Sequence, residues 1–239
     1  MHACILGLTD GPAETTTIDS RLDSGFPAID AESTAYLDGA EVYHGTCANT
    51  IDTQTTDVWV DDETGISTEK VDGLREVACD FYADLDAGFV GVDSSDGEWL
   101  FDYLGARAGV WIDRAVLDLD AWASDLRDDD TAEAWHVGAS DKTDPDNPRI
   151  SIDYHADAHL SQTDGRETSQ LGFRYSWNGT SVRGTAAASG YVAVFTTMAT
   201  PTFAKWLREE LLEYASLPDS DQTFLTETGS DEEFEVSAE

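Results

Sequence analysis

The sequence predicts an α+β protein built on a mainly antiparallel sheet, with helices packed on one face. Three observations carry that expectation. Two stretches show period-two alternation with an apolar face, an Asn-Gly pair separates two further strand-like runs, and two short apolar runs each lead into a helix bearing aromatic residues. The length, 239 residues, suits one large domain or two small ones.

Residues 1–35 are rich in Thr, Asp, Ser, Gly and Pro with little periodicity, so a loose N-terminal segment, or an edge strand followed by loop, is expected there. The body then runs over 36–217, with sub-units 36–130 and 131–217. Its clearest strand is Glu76 to Leu85, where Val77, Cys79, Phe81, Ala83 and Leu85 alternate with Ala78, Asp80, Tyr82 and Asp84. Asp86-Ala87-Gly88 supplies a turn, and Phe89 to Val92 returns as a second strand. Ser95 and Glu98 have the spacing of a capping box, in which a hydroxyl and a carboxylate satisfy the first free amides of a helix. Trp99, Leu100, Tyr103 and Leu104 form the apolar stripe of that helix, and Gly105 marks its end. Val110 to Leu126 holds a strand and a second helix, capped near Asp118 or Asp120. Asp128 to Asp130 and Asp141 to Pro148 read as loops.

The second sub-unit opens on an alternating strand from Ile150 to Leu160. Leu171 to Trp177 and Ser181 to Ala186 flank Asn178-Gly179, whose residues tolerate the positive φ of a type I′ hairpin turn. Asn178-Gly179-Thr180 also matches a glycosylation sequon, but the turn accounts for it in a cytoplasmic chain. Gly190 to Met198 reads as a buried strand. Thr200 then caps a helix with Pro201 at its first position, and Phe203, Trp206, Leu207, Leu211 and Tyr214 make its core stripe. Residues 218–239 contain no Lys or Arg and read as a disordered acidic tail. Gly88 to Ser95 and Gly190 to Thr197 share one pattern: small, aromatic, Val, small, Val, any residue, then two hydroxyls. Either two β-meander-plus-helix units descend from a duplication, or buried strands leading into helices resemble one another for physical reasons.

Charge sets the environment. The chain carries 49 acidic residues against 13 Lys and Arg, a net charge of −36, spread along its length. At low ionic strength the acids repel over a Debye length of roughly 10–30 Å, whereas at molar salt the length falls to about 3 Å. Lys occurs only at 70, 142 and 205. This composition is similar to that of proteins from halophiles that keep molar salt in the cytoplasm, a resemblance of class rather than of family. The same charge argues against direct nucleic-acid binding, which needs a basic patch, although released cations weaken that argument at high salt. No apolar run approaches the ~20 residues of a membrane-spanning helix, and Ala3 to Leu8 lacks the basic flank of a signal peptide, so a cytoplasmic location is expected.

Three widely spaced cysteines, Cys4, Cys47 and Cys79, give neither a disulfide framework nor a zinc knuckle. Cys79 is expected as a buried thiol on a strand's apolar face. Cys47 with the nearby His44 is a weak nucleophile pair, because catalytic partners are neighbours in space rather than in sequence. No G-x-S-x-G, H-E-x-x-H or phosphate-binding loop occurs. Paired acids such as Asp84 and Asp86, or Asp118 and Asp120, are background in this composition. The aromatic residues Trp99, Phe101, Tyr103, Trp111 and Trp122 fit core packing at helical spacing, or else a ligand pocket or interface.

One constellation stands out: Asp153, His155, Asp157 and His159, at alternate positions of the Ile150–Leu160 strand. They would share one sheet face, neighbours about 6.6 Å apart and the two histidines about 13 Å apart. His155, Asp157 and His159 are therefore the candidate ligands of a divalent metal such as zinc, completed by His136, Asp84 or Asp80 from another strand. The plainer alternative is a solvent-facing sheet surface. Three functions follow. The favoured one is a non-enzymatic binding or regulatory protein acting through a protein partner or self-association, for instance as a homodimer, with sheet or aromatic surface at the contact. A metal-dependent hydrolase or metal-binding protein centred on the Asp/His strand is the second. An acidic nucleic-acid mimic is the third.

Overall fold

A computed structural model gives the fold. It describes residues 1–22, 25–35, 41–61, 65–128, 132–140, 151–155 and 167–218. In chain order the elements are β1 (His2–Thr9), β2 (Ala28–Ala35), β3 (Glu41–Asp61), β4 (Gly65–Asp84), β5 (Phe89–Val92), α1 (Trp99–Ala108), β6 (Ile112–Arg114), β7 (Val116–Leu117), α2 (Leu119–Asp128), β8 (Glu133–Ser140), β9 (Ser151–His155), β10 (Thr168–Trp177), β11 (Thr180–Ala187), β12 (Tyr191–Val194), α3 (Thr200–Trp206) and β13 (Ala215–Ser216). The protein is an α+β fold: an antiparallel sheet in the order β2-β3-β4-β5-β1-β12-β11-β10-β8-β9, with β6 added to β1, against which the helices pack.

The sheet is two meanders joined through β1. The β3-β4-β5 meander meets one side of β1 and the β10-β11-β12 meander meets the other, so that Ile5 lies opposite Val92 on one side and Tyr191 on the other. His2–Thr9 is thus the central strand, not a loose segment or an edge. Its run Cys4-Ile5-Leu6 is buried on both faces, and only a central strand offers two covered faces to so short an apolar run.

Alternation along the strands feeds two separate cores. Ile5, Phe81, Val90 and Val92 pack under α1 through Leu100, Phe101 and Leu104. On the other face Leu6, Phe89, Phe173 and Val194 pack under α2 and α3 through Trp122, Phe203 and Trp206. The helices therefore divide between the faces, α1 on one and α2 with α3 on the other. Two meanders entering β1 from opposite sides, each ending parallel to the other, present opposite faces to the helix that follows. The second core is aromatic: Phe173 stacks on Trp206 at 5.8 Å and tilts against Trp122 at 4.7 Å. Trp206 Nε1 donates to the Tyr175 hydroxyl at 2.7 Å, which satisfies a buried donor without water.

Several local expectations are met and several are corrected. The Asn178-Gly179 turn joins β10 to β11 with φ of 49° and 77°. β5 spans the expected Phe89–Val92. The capping box at Ser95 and Glu98 is not formed. Ser95–Gly97 is a turn of 3-10 helix, and the Glu98 carboxylate reaches Arg114 at 3.3 Å instead. Gly105 does not end α1. It lies inside the helix, where a Cβ would come within 2.7 Å of the Val110 carbonyl, and Gly109 at φ 70° ends it. The expected strand Gly190–Met198 stops at Val194. α3 starts after Ala199, with Thr200 as its first residue and Pro201 as its second, and passes into a π-helical turn at Leu207–Leu211. That turn carries Arg208 to 3.6 Å from the fully buried Asp84, whose other oxygen accepts from the Ala87 amide. The expected strand at Ile150–Leu160 is described only as Ser151–His155, and the acidic tail from 219 on lies outside the described residues.

Candidate functional site

The Asp/His strand is placed by register. β9 pairs with β8 so that His155 stands directly opposite His136 and Asp153 opposite Gly138. His136 and His155 thus occupy one register position of the sheet, with Asp153 two residues along β9. Asp157 and His159 lie outside the described residues. Asp80 and Asp84 belong to β4, seven strands away in sheet order, and cannot complete a site on β9. Asp84 is in any case committed to Ala87 and Arg208. Of the proposed completing ligands, the fold brings only His136 to this strand.

The Cys47 and His44 pair is not formed. His44 faces Tyr82 across the ladder and Cys47 faces Cys79, an odd number of residues apart, so the two project from opposite faces of β3. Burial pushes the Cys47 thiol up to about 12, with Cys79 beside it adding to the effect. Cys79 is buried as expected, with its Sγ 3.3 Å from Ser94 Oγ.

A polar cleft of about 430 Å³ opens where β1, β3, β4 and the start of α3 meet, lined by His2, His44, Asp80, Tyr82, Asp93 and Thr200 among others. His2 stacks on Phe203 at 5.1 Å; its Nε2 donates to the Met198 carbonyl at 2.8 Å, and its Nδ1 lies 3.1 Å from the Tyr82 hydroxyl. Thr46 Oγ1 donates to Asp80 at 3.0 Å, and His44 Nε2 lies 3.3 Å from Thr34 Oγ1. Burial, followed by the charge of Asp80, raises the Asp93 carboxyl above its ordinary range. Both nitrogens of His2 are thus engaged by protein groups. No group of three metal-ligating side chains is gathered among the described residues. The cleft lies at the joint between the sheet and the start of α3.

The aromatic set divides. Phe101 and Trp122 are core, Trp99 and Tyr103 pack edge to face at 6.2 Å, and Trp111 is exposed beside a second depression of about 580 Å³ at the end of α1.

The largest surface feature is one the sequence pattern did not mark. β3 and β4 stay paired from Tyr43 with Ala83 to Asp61 with Gly65, yet β2 covers β3 only as far as Ala48, and β5 covers β4 only from Phe81. From Ile51 with Arg75 onward the hairpin is a two-stranded arm, eleven register pairs or about 37 Å long. One face carries Val58, Val60, Ile66 and Leu74, and the other Trp59 and Val71; all six are exposed, Ile66 and Leu74 at 73% each and Val60 at 74%. The arm's composition supplied a signal: β-branched and aromatic residues recur through 50–60, and Asp61 to Gly65 is turn-like.

Compared with known proteins, the sequence matches no family model and no curated protein. Among the described residues no helix is long and apolar enough to cross a membrane.

Proposed function

We propose that this is a non-enzymatic binding or regulatory protein of a salt-filled cytoplasm, which acts through a protein contact made by the β3–β4 arm. The observation that carries the reading is the arm itself. A two-stranded ribbon is at best marginally stable in water, and this one exposes six large apolar side chains along with two backbone edges that no described strand covers. Both features are liabilities unless another chain covers them. A shortened chain tests it, with residues 51–75 replaced by an Asn-Gly turn. Expected is an intact body by circular dichroism and loss of association in molar KCl; association that survives the shortening would contradict the reading.

The register of β9 favours a second reading, a metal-binding protein centred on the Asp/His strand. Directly opposite residues have Cβ atoms about 4.5–5.5 Å apart, a spacing from which two imidazoles reach one zinc ion at about 2.0–2.1 Å. His136 and His155 occupy such a register pair, with Asp153 two residues along the strand. Zinc titration by calorimetry separates the readings. Stoichiometric binding lost in both His136→Ala and His155→Ala supports the metal centre, and binding below a tenth of an equivalent excludes it.

A further inference from the structure

The two edges of the arm differ in a way that identifies the occupant. Between Ile51 and Asp61 the β3 edge carries Asp52, Asp57 and Asp61 and no cation. Between Gly65 and Glu76 the β4 edge interleaves Lys70 and Arg75 with Glu69, Asp72 and Glu76. Only the second edge has the mixed charge that allows it to pair with a copy of itself.

We infer that two copies of this chain pair through the β4 edges of their arms, antiparallel about a twofold axis at Val71, to make a four-stranded ribbon. The inference rests on the arm being the contact surface and names what it contacts. A twofold axis normal to the sheet keeps every side chain on its own face, so it passes through the pairing of some residue with itself. Centring it on Glu69, Lys70 or Asp72 sets like charges directly opposite, which is destabilising. Centring it on Val71 sets Val71 against Val71, and Lys70 opposite Asp72 twice over. Glu69 then falls opposite Gly73, which has no side chain to oppose it.

The same register accounts for the isolated Leu74. Leu74 falls opposite Thr68 of the second copy and diagonal to its Ile66, within reach of a long side chain on a shared face. Leu74 and Ile66, each 73% exposed in one copy, thereby cover each other at both ends of the ribbon. The overlap runs from Ile66 to Glu76 in each arm. Half of those residues direct their amides and carbonyls outward, giving on the order of ten interstrand hydrogen bonds, the number found in a typical stable interface. Two copies of net charge −36 repel each other in dilute buffer, so the pairing requires salt.

Sedimentation velocity of the full chain in about 3 M KCl tests this directly. A dimer is expected, with affinity at least tenfold weaker in 0.2 M KCl. Val71→Asp, which sets two carboxylates together at the axis, should leave a monomer. Lys70→Asp and Asp72→Lys should each weaken the dimer at least threefold, and the double swap should restore it to within twofold. Val71→Cys should form a disulfide-linked dimer under copper–phenanthroline oxidation. All three positions are exposed, so circular dichroism should match the parent. A chain that is monomeric at every concentration, or a dimer indifferent to these changes, overturns the inference. A monomer that forms an arm-dependent complex with a different protein overturns it too, while leaving the proposed function standing. Contacts that persist after the arm is shortened overturn the proposed function instead.

Discussion

Asp93 shows how a single residue reports on the environment of the sheet. Its carboxyl is raised first by burial and then by the charge of Asp80, so the folded state holds its proton more tightly than the unfolded chain, which titrates near 4. Below about pH 4 both states are protonated and the group costs nothing. As pH rises through the folded value, stability falls, though only slightly because Asp93 is exposed and solvent screens its charge. Asp93→Asn removes that penalty. Its Tm should equal the parent's at about pH 3.5 and exceed it slightly at pH 7, whereas a variant less stable at pH 7 would show that the carboxylate is favourable. Gly184 marks a different constraint. It lies directly opposite Phe173, and a Cβ there would come within 2.4 Å of both the Phe173 ring and the Ala193 carbonyl. Gly184→Ala should therefore cost about 1–3 kcal/mol in chemical denaturation, and an unchanged midpoint would mean that the aromatic core yields freely.

At the scale of elements, what could be read from the sequence was what the core had imprinted on it. β5, the Asn178-Gly179 hairpin and the stripe of α3 were legible because one or both of their faces are buried, and burial writes apolar periodicity. Only the last third of β4 was legible for the same reason: Val77, Cys79, Phe81 and Ala83 face a core, whereas Gly65 to Glu76 face none. The arm lacks a core-facing pattern because no described residue covers its apolar side chains, and its β-branched composition, the one signal it left, was not read as strand. β1 was missed because Thr- and Pro-rich sequence after Thr9 masked a six-residue apolar run. Ser95 and Glu98 have a cap's spacing but lie on a 3-10 turn, where a Cβ on Gly97 would crowd Val92 and Cys79, and Glu98 turns to Arg114. For the candidate metal centre the sequence showed the alternation of Asp153 and His155, while their pairing with His136 depended on strand order, which no local pattern encodes. Since the arm packs on no core of its own, shortening it should leave the body's Tm within about 2 °C at protein concentrations where the chain is monomeric. A larger fall would show that the arm supports the sheet.

For the molecule as a whole, the charge acts on folding and association together. The ion pairs on its surface, such as Arg75 with Asp96 and Arg174 with Glu133, are partly exposed and contribute little, and molar salt screens them further. What salt provides is relief of repulsion among 49 acids, including Asp57 and Glu69, which stand directly opposite each other on the arm. The Tm should rise by at least about 10 °C between 0.1 and 3 M KCl, and a fall would contradict a salt-adapted chain. Association through the arm requires that the β4 edge be covered when the protein is at work. Hydrogen exchange of the Ile66–Glu76 amides in about 3 M KCl, at two protein concentrations a hundredfold apart, measures that most directly. Protection that rises with concentration and disappears in Val71→Asp is the expected result; equally fast exchange at both concentrations would contradict it.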